Sequence, residues 1–364
     1  MASGGTPSGG RASSGDDEVT IVEADITDDG AQHAVYELMV AAYAVEQAAP
    51  PLPGEAEVLA MVRSGDPGRM SVRVVTARVG GRLVGAALVR FPHQDNRHTV
   101  WVLPLVVGPG LRRRGVGRVL LAAVAADARA AGRTVLLGQV SQLGPEEPSA
   151  GRSFAAAVGA TVDGRSLEQV LDVAAAVAGL PPDLITPDLI APGSSAPDPM
   201  PADTYEVLDW TDAAPADLVE AWARLRGRMS TDTPVDDRPD EPEVWDTDRV
   251  RDSERQFTVQ GRTCLVSAAR DRVSGELVAY TMVSVAVAEP GTAFQEDTLV
   301  ASGHRGHGLG LRLKRRTLGR LAVASPATVE LLTWNSSTNG PMLAVNAALG
   351  YRVRAEELRV RLEI

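Results

Sequence analysis

Two glycine- and arginine-rich turns are the parts of the sequence best suited to chemistry. The first, Val107–Gly117, reads VGPGLRRRGVG, and the second, Val300–Gly310, reads VASGHRGHGLG. Each follows an apolar run typical of a strand and precedes a run with helical apolar spacing. The first amides of a helix lack internal partners, and alternate glycines let successive N–H groups close around an anion. Both turns therefore predict a pyrophosphate-binding loop at a helix N-terminus.

Other phosphate loops and other catalytic motifs fit the sequence less well. A Walker A loop requires lysine where Val116 and Leu309 stand, and a GxGxxG motif requires glycine where Leu120 and Leu313 stand. No His/Cys/Asp spacing indicates a metal site, and no G-x-S-x-G elbow is present. The sequence therefore predicts no metal.

The elements around the two turns follow the same order in both halves of the chain. In the first half the patterns predict a helix at 31–45, a hairpin at 71–91, a strand at 98–107, a helix at 116–130, a strand at 133–140 and a helix at 151–159. In the second half they predict a helix at 214–226, a hairpin at 262–287, a strand at 293–300, a helix at 309–322, a strand at 328–334, a helix at 339–349 and a last strand from 351. The hairpins turn at Gly80-Gly81 and Ser274-Gly275. Arg112 and Arg305 lie 193 residues apart, and Gly159 and Gly350, which end the last helices, lie 191 apart. These two nearly equal offsets indicate an internal duplication.

Composition divides the chain and limits its partners. We predict a disordered tail at 1–18, a first domain at 19–179, a Pro/Asp-rich linker at 180–203 and a second domain at 204–364. The net charge of −11 argues against nucleic acid and favours cationic small molecules. A single cysteine, no signal peptide and no membrane-spanning run predict a cytoplasmic protein without disulfides. The sequence does not indicate an oligomeric state.

The two turns resemble the acetyl-CoA pyrophosphate loop of the GCN5-related N-acetyltransferase (GNAT) superfamily, which has the consensus Q/R-x-x-G-x-G/A. The segment TWNSSTNGPMLAVNAALGYRV also resembles the final strand–helix–strand of that family. The resemblance implies an α/β (α+β) fold of two tandem GNAT domains. Each would have a mixed, mostly antiparallel sheet flanked by helices and splayed between its fourth and fifth strands. The tandem arrangement is similar to that of mycothiol synthase.

The resemblance also implies that acetyl-CoA is the cosubstrate and which residues bind it. In the first half these are Val107, Arg112, Arg113, Gly115 and Gly117. In the second half they are Leu299, Val300, Arg305, Gly306, His307, Gly308, Gly310, Asn335 and Asn339. A backbone N–H around Leu299–Val300 would stabilise the negative charge that develops on the thioester oxygen.

Acetyl transfer to an amine requires a group that removes a proton, and the second half offers two carboxylates on its fourth strand. Strand alternation predicts that Glu296 and Asp297 point to opposite faces, and we favour Glu296 as the base. Asn346 stands where the family has a tyrosine that protonates the leaving thiolate. Either the thiolate leaves unprotonated or another group serves, with Tyr280 and Tyr351 as candidates.

The first half lacks these groups. Its fourth strand carries no carboxylate, and Pro148 and Ala155 replace the asparagine and tyrosine of the family's last helix. We therefore predict that the first domain is non-catalytic and the second catalytic.

The acceptor is the least determined part of the prediction. Segment 231–256 carries many carboxylates and is either a solvated acidic loop or a wall of a site for a cationic amine. The preferred function is transfer of an acetyl group from acetyl-CoA to a small, cationic amine acceptor. The alternatives are acetylation of a peptide N-terminus and a non-catalytic acyl-CoA sensor.

Overall fold

The computed structural model describes residues 18–63, 69–144, 146–186, 204–232 and 241–364. The tail predicted at 1–18 lies outside the described residues except for Glu18. Residues 187–203 of the predicted linker, and with them the domain boundary near residue 200, also lie outside.

Twelve strands and ten helices make up the described part of the chain. The strands are β1 Val19–Glu23, β2 Met70–Val79, β3 Arg82–Pro92, β4 Thr99–Val107, β5 Val135–Gln142, β6 Thr161–Asp172, β7 Tyr205–Thr211, β8 Arg262–Asp271, β9 Leu277–Ala286, β10 Thr292–Val300, β11 Glu330–Ser336 and β12 Arg352–Glu363. The helices are α1 Asp29–Tyr43, α2 Glu55–Arg63, α3 Val116–Ala130, α4 Ala150–Ala157, α5 Val173–Ala178, α6 Val219–Gly227, α7 Met229–Asp232, α8 Thr247–Val259, α9 Leu309–Ala324 and α10 Gly340–Leu349.

All twelve strands form one sheet, in the order β1-β2-β3-β4-β5-β12-β6-β11-β10-β9-β8-β7. Its neighbouring strands are antiparallel except for β4 with β5 and β10 with β11. These parallel pairs stay in register only from Thr99 to Trp101 and from Thr292 to Phe294, and then diverge. The predicted mixed, mostly antiparallel sheet with a gap between the fourth and fifth strands of each half is confirmed.

The two halves exchange their last strands. β12, from the end of the chain, pairs with β5 of the first half, and β6 of the first half pairs with β11 of the second. β6 and β12 also pair with each other: Gln169 lies opposite Val353, and Val162 lies opposite Val360. Val162 and Val353 lie 191 residues apart, and so do Gln169 and Val360. The same offset therefore exchanges the two pairs, and the centre of the sheet has an approximate two-fold symmetry. The sequence predicts two successive units but not this exchange.

Helices cover both faces of the sheet. α3 and α9 pack on one face through fully buried leucines, Leu120 and Leu313. α1 with α2, and α6 with α8, pack on the opposite face. In the second half, α6 and α8 therefore cover one face of the sheet, and the helix that follows the glycine-rich turn lies on the other face.

The sequence predicted the elements next to the turns best. The bounds of α3 agree with the prediction to the residue, and both hairpins turn at the predicted glycines. Residues 247–259, for which the sequence predicted no helix and most of which belong to the acidic segment 231–256, form helix α8. Asp246 caps this helix by accepting from the Arg249 N–H at 2.7 Å, and Val250 is its only fully buried residue, so its apolar periodicity was weak. In the described part of the chain, no helix has the length and apolar character needed to cross a membrane.

Candidate active site

The two glycine-rich turns have the same backbone conformation. Gly115 and Gly308 cap α3 and α9 with left-handed backbone, at φ of 87° and 72°. A Cβ atom added at either glycine would meet nothing within 4 Å, so the turn is open on that side. The open turn and the free first-turn amides of the helix can hold a pyrophosphate in each half.

The arginine of each turn contacts the protein itself. Arg112 Nε donates to the Val107 carbonyl at 3.3 Å, and Arg305 Nε donates to the Val300 carbonyl at 3.1 Å. Arg112 also pairs with Glu46, while Arg305 also donates to the Asp232 carbonyl. The sequence assigned both side chains to the cofactor, but the structure shows them bracing the turn against the end of the preceding strand.

The two histidines of the second turn differ in exposure. His304 Nδ1 lies 3.0 Å from the hydroxyl of Tyr205, and His307 is exposed on the turn. The edge of the Tyr205 ring contacts both imidazoles. His307 is therefore the histidine with a side chain available to a bound phosphate.

A β-bulge interrupts the strand that carries the two carboxylates. Gln295 pairs with Val283 and Thr298 pairs with Thr281, so β10 contains one extra residue at Glu296-Asp297. The simple alternation of side chains does not hold across a bulge. The prediction that the two carboxylates point to opposite faces was therefore wrong.

Both carboxylates lie on the α6/α8 face of the sheet. The Ser284 hydroxyl donates to Glu296, and the Tyr280 hydroxyl donates to Asp297 at 3.3 Å. Ser284 and Tyr280 are four residues apart on β9, so their side chains share one face. The second half thus presents two carboxylates together beside the gap between β10 and β11.

Glu296 is the more available of the two carboxylates. Its side chain is exposed to solvent, but protein surrounds the site, and this desolvation raises the pKa of its carboxyl group. Arg262 Nε donates to the Ser284 hydroxyl at 3.0 Å, and Arg262 also pairs with Glu57 of α2. A helix of the first half therefore helps to position the groups behind Glu296.

Asp297 is held by a cation. Arg226 lies 3.4 Å from its carboxylate, and the guanidinium stacks 3.8 Å above the ring of Trp245. Burial and the neighbouring Asp297 raise the pKa of Tyr280. Asp297, Arg226 and Tyr280 form a compact group in which the carboxylate charge is already balanced.

The open edge of β10 supplies the expected backbone donor. Leu299 and Val300 pair with Tyr280 and Ala279 of β9, while pairing with β11 ends at Phe294. Successive N–H groups of a strand point to alternate edges, so one of these two residues directs its N–H into the gap. The sequence predicts the thioester oxygen next to this N–H group.

The last helix contributes two of the predicted residues. Asn339 caps α10, with its side chain accepting from the Met342 N–H at 3.3 Å. Asn346 is completely buried and contacts Lys314 and Gln169, two residues that the sequence did not assign to the site. Asn335 Nδ2 also donates to Gln169, at 3.4 Å.

Neither tyrosine suggested as a proton donor is suited to that role. The Tyr280 hydroxyl already donates its hydrogen bond to Asp297. Burial raises the pKa of Tyr351, which makes its hydroxyl a weaker acid. The Tyr351 hydroxyl has no hydrogen-bond partner among the described residues, and the residue is buried in the core.

Several described carboxylates of the acidic segment make contacts within the protein. Glu241 accepts from the Asn96 N–H at 2.8 Å, and Asp95 pairs with Arg249 at 2.6 Å, so these contacts join the two halves. Glu243 accepts from the indole of Trp245 at 2.8 Å. Asp236, Asp237 and Asp240, which the sequence also placed in this segment, lie outside the described residues.

Sequence reasoning missed the residues that support the carboxylates and the last helix. These are Glu57, Arg226, Arg262, Ser284, Lys314 and Gln169. Their types are common in any chain, and only the pairing of strands and helices brings them together. The one signal available was that Lys314 is the single lysine of a chain whose other basic residues on this helix are arginines. Among the described residues, no group of three or more side chains could hold a metal ion.

A family model and several solved structures resemble this chain. The model of the acetyltransferase (GNAT) family matches residues 33–142. A tandem GNAT protein from the clavulanic acid biosynthesis pathway is 28% identical with a TM-score of 0.76, and the match covers 95% of this chain and 98% of that one. A GCN5-related N-acetyltransferase from Sphaerobacter thermophilus is 14% identical with a TM-score of 0.63, and the match covers 95% of each chain.

A third similar structure is named for the amine that it acetylates. It is a GCN5-related glucosamine N-acetyltransferase region of a fungal multi-domain β-N-acetylglucosaminidase, with 13% identity and a TM-score of 0.62. That match covers 95% of this chain and 38% of the other. No curated protein matches this chain in sequence. The family model over residues 33–142, the tandem structure and the splayed sheets show that this chain has the fold of tandem GNAT proteins and is similar to acyl-CoA-dependent N-acetyltransferases.

Proposed function

We propose that the second half transfers the acetyl group of acetyl-CoA to the amine of a small, cationic acceptor, with Glu296 as the general base. The observation that carries this proposal is the bulge of β10, which puts Glu296 and Asp297 on one face beside the gap. The first half, in this proposal, binds no acceptor and completes the site through β6 and α2.

The contacts of the two carboxylates support different roles. Asp297 already balances Arg226, whereas Glu296 keeps contact with solvent and accepts one hydrogen bond from Ser284. Desolvation raises the pKa of Glu296 towards the pH at which a base works best. An acceptor with a protonated amine would be attracted by both carboxylates.

The reaction needs three events at this place. Glu296 takes a proton from the ammonium of the acceptor, directly or through water, and the free amine attacks the thioester carbon. The N–H of Leu299 or Val300 stabilises the oxygen as it becomes negative. The C–S bond then breaks, with its electron pair going to sulfur, and the nitrogen of the product gives its remaining extra proton to solvent.

Substitution of Glu296 by glutamine tests the proposal, since it keeps the size and removes the base. General-base assistance contributes about 10²–10⁴ in rate, so kcat/KM should fall by roughly that factor. The acidic limb of the pH profile should move upward, towards the pKa of the acceptor amine. Steady-state rates of CoA release across pH, with a panel of polyamines, amino sugars and N-terminal peptides, measure both effects.

Asp297→Asn is the matched variant, because it has the same chemistry on the same face. We expect a much smaller loss, since Asp297 is held by Arg226 and Tyr280. If Asp297→Asn loses most of its kcat/KM while Glu296→Gln stays near normal, Asp297 is the general base and Glu296 is not. Near-normal rates for both variants would show that neither carboxylate is the base, and a chain that turns over only peptides would overturn the acceptor class.

A further inference from the structure

A buried polar cluster lies on the other side of the sheet from Glu296. Lys314, the single lysine of the chain, is 3% exposed, and its Nζ donates to Asn346 Oδ1 at 2.9 Å. Asn346 Nδ2 donates to Gln169 Oε1 at 2.8 Å, and Gln169 belongs to the exchanged strand β6. Burying a cationic group without a counter-charge costs free energy, so its position here calls for a function.

The cluster extends to the gap between β10 and β11. Gln169 pairs with Thr333, one residue beyond the last position at which β11 pairs with β10. The Thr333 hydroxyl donates to the Gln295 carbonyl at 3.4 Å. Because the pairing of β10 with β11 ends at Phe294, this hydrogen bond brings the cluster to the point where the gap opens.

The surroundings of Lys314 are neutral. Asn346 faces it from α10, and the ring of Tyr351 lies 5.5 Å from Nζ. No carboxylate in the described part of the chain forms a salt bridge with it. Burial lowers the pKa of Lys314 to about 7, so near neutral pH the side chain can both hold and release a proton.

The first half shows that the fold does not need this cluster. The offset between the two turns places Leu121 at the position of Lys314, and the offset of the last helices places Ala155 at the position of Asn346. In the sheet, the pairing of Gln169 with Thr333 corresponds to that of Val360 with Gly138. Lys314 and Asn346, the polar members on α9 and α10, are therefore present only in the half that has the carboxylates.

We propose that Lys314 donates the proton that the sulfur of CoA takes up as the C–S bond breaks. This inference rests on the proposed function, because it assumes that acetyl-CoA lies in the gap of the second half. The electron pair of the C–S bond goes to sulfur, the Nζ–H proton follows it, and free CoA leaves with a neutral amine on Lys314. The side chain is then protonated again from solvent or by the proton taken from the acceptor.

The chemistry of the two groups suits this transfer. A thiol has an ordinary pKa of about 8.5. A lysine that gives up its proton near neutral pH is therefore acidic enough to protonate a thiolate, whereas an ordinary lysine is not. Asn346 accepts from Nζ and fixes the direction of the ammonium, so it is a positioning residue.

The single lysine gives a direct test. Protein labelled with ¹³C at the lysine Cε has one reporter signal from this chain, which can be titrated over roughly pH 5–10. The titration is recorded with CoA and with desulfo-CoA, which lacks the sulfur. We expect CoA, but not desulfo-CoA, to raise the midpoint, because a thiolate stabilises the ammonium. Identical titrations with the two ligands would overturn the proposal.

Turnover provides the second arm. Lys314→Met keeps the length of the side chain, removes the proton and removes a buried charge, so the fold should be retained. We expect kcat to fall about 10²-fold or more, with CoA affinity within a few fold of that of the unmodified protein. A kcat that is unchanged in Lys314→Met would also reject the proposal.

The two arms separate this inference from the proposed function. If the chain acetylates no amine, the difference between CoA and desulfo-CoA still decides whether Lys314 meets the sulfur. If Glu296→Gln loses activity while the lysine titrates identically with CoA and with desulfo-CoA, the proposed function stands and the role of Lys314 is wrong.

Discussion

The fourth strands of the two halves have the same backbone but different side chains. In the first half Val102 pairs with Val89 and Leu105 with Ala87, so β4 has a bulge at Leu103-Pro104. In the second half the corresponding bulge of β10 carries Glu296 and Asp297. The bulge is thus a feature of the fold, and the chemistry depends on which residues occupy it.

The comparison also separates family resemblance from catalysis. The family model matches residues 33–142, in the half without carboxylates on its fourth strand. That match covers core strands and the glycine-rich turn of the first half, and it does not reach the carboxylates of β10. A clear family match in one half is therefore compatible with chemistry in the other.

The largest expected effect comes from separating the halves. β5 and β11 each pair with the last strand of the other half, so an isolated half would expose a long unpaired edge. We expect residues 204–364 alone to aggregate or to self-associate by exchanging strands, and co-expression with residues 18–186 to restore a soluble complex. Size-exclusion chromatography and circular dichroism measure this. A monomeric, cooperatively folded second half would show that β12 can return to its own unit.

The exchange also shows where prediction from sequence ends. The turns, α3 and the hairpins follow from local patterns such as Gly80-Gly81, because nearby residues determine them. β6 was missed, since a strand buried between two others gains its stability from partners distant in sequence. The bulge at Glu296-Asp297 was missed for a similar reason: it is defined by pairing with β9, and the sequence alone suggests regular alternation.

The next effect concerns CoA binding by the two turns. Gly308→Glu puts a negative side chain on a left-handed position of the second turn and should abolish one CoA site, with a loss of more than about 100-fold in affinity. Gly115→Glu is the matched change in the first turn and should leave that site intact. Isothermal titration with CoA gives stoichiometry and affinity for each variant. If Gly308→Glu binds CoA with unchanged stoichiometry and affinity, the assignment of a CoA site to the second turn is wrong.

A smaller effect should appear when the second half is made to copy the first at Lys314 and Asn346. Lys314→Leu with Asn346→Ala reproduces Leu121 and Ala155. The folded-state pKa of Lys314 is lowered from 10.5 to about 7, so the unfolded chain binds more protons between these values and the stability of the unmodified protein rises with pH across that window. The double variant should therefore be more stable by about 1–3 kcal/mol at or below pH 7.

Thermal unfolding at several pH values measures this difference. The gain should be largest at neutral or lower pH and should disappear at alkaline pH, where lysine is neutral in both states. A gain that is independent of pH would mean that packing, and not the buried charge, separates the two halves at this position.

The smallest effect concerns the arginines of the turns, for which the two halves should behave alike. Arg305 donates to the carbonyls of Val300 and Asp232, and Arg112 donates to Val107 and pairs with Glu46. If these side chains brace the turn, then Arg305→Lys should weaken CoA binding only a few fold, because a lysine cannot donate to two carbonyls in the same fixed geometry.

A direct ion pair with phosphate would be screened by salt, whereas a brace between neutral carbonyls would not. We therefore expect the salt dependence of CoA affinity in Arg305→Lys and in Arg305→Ala to be the same as in the unmodified protein. A flatter salt dependence in Arg305→Ala would mean that the guanidinium leaves the Val300 carbonyl for a phosphate when CoA binds, and the first half could then be tested for the same movement with Arg112→Ala.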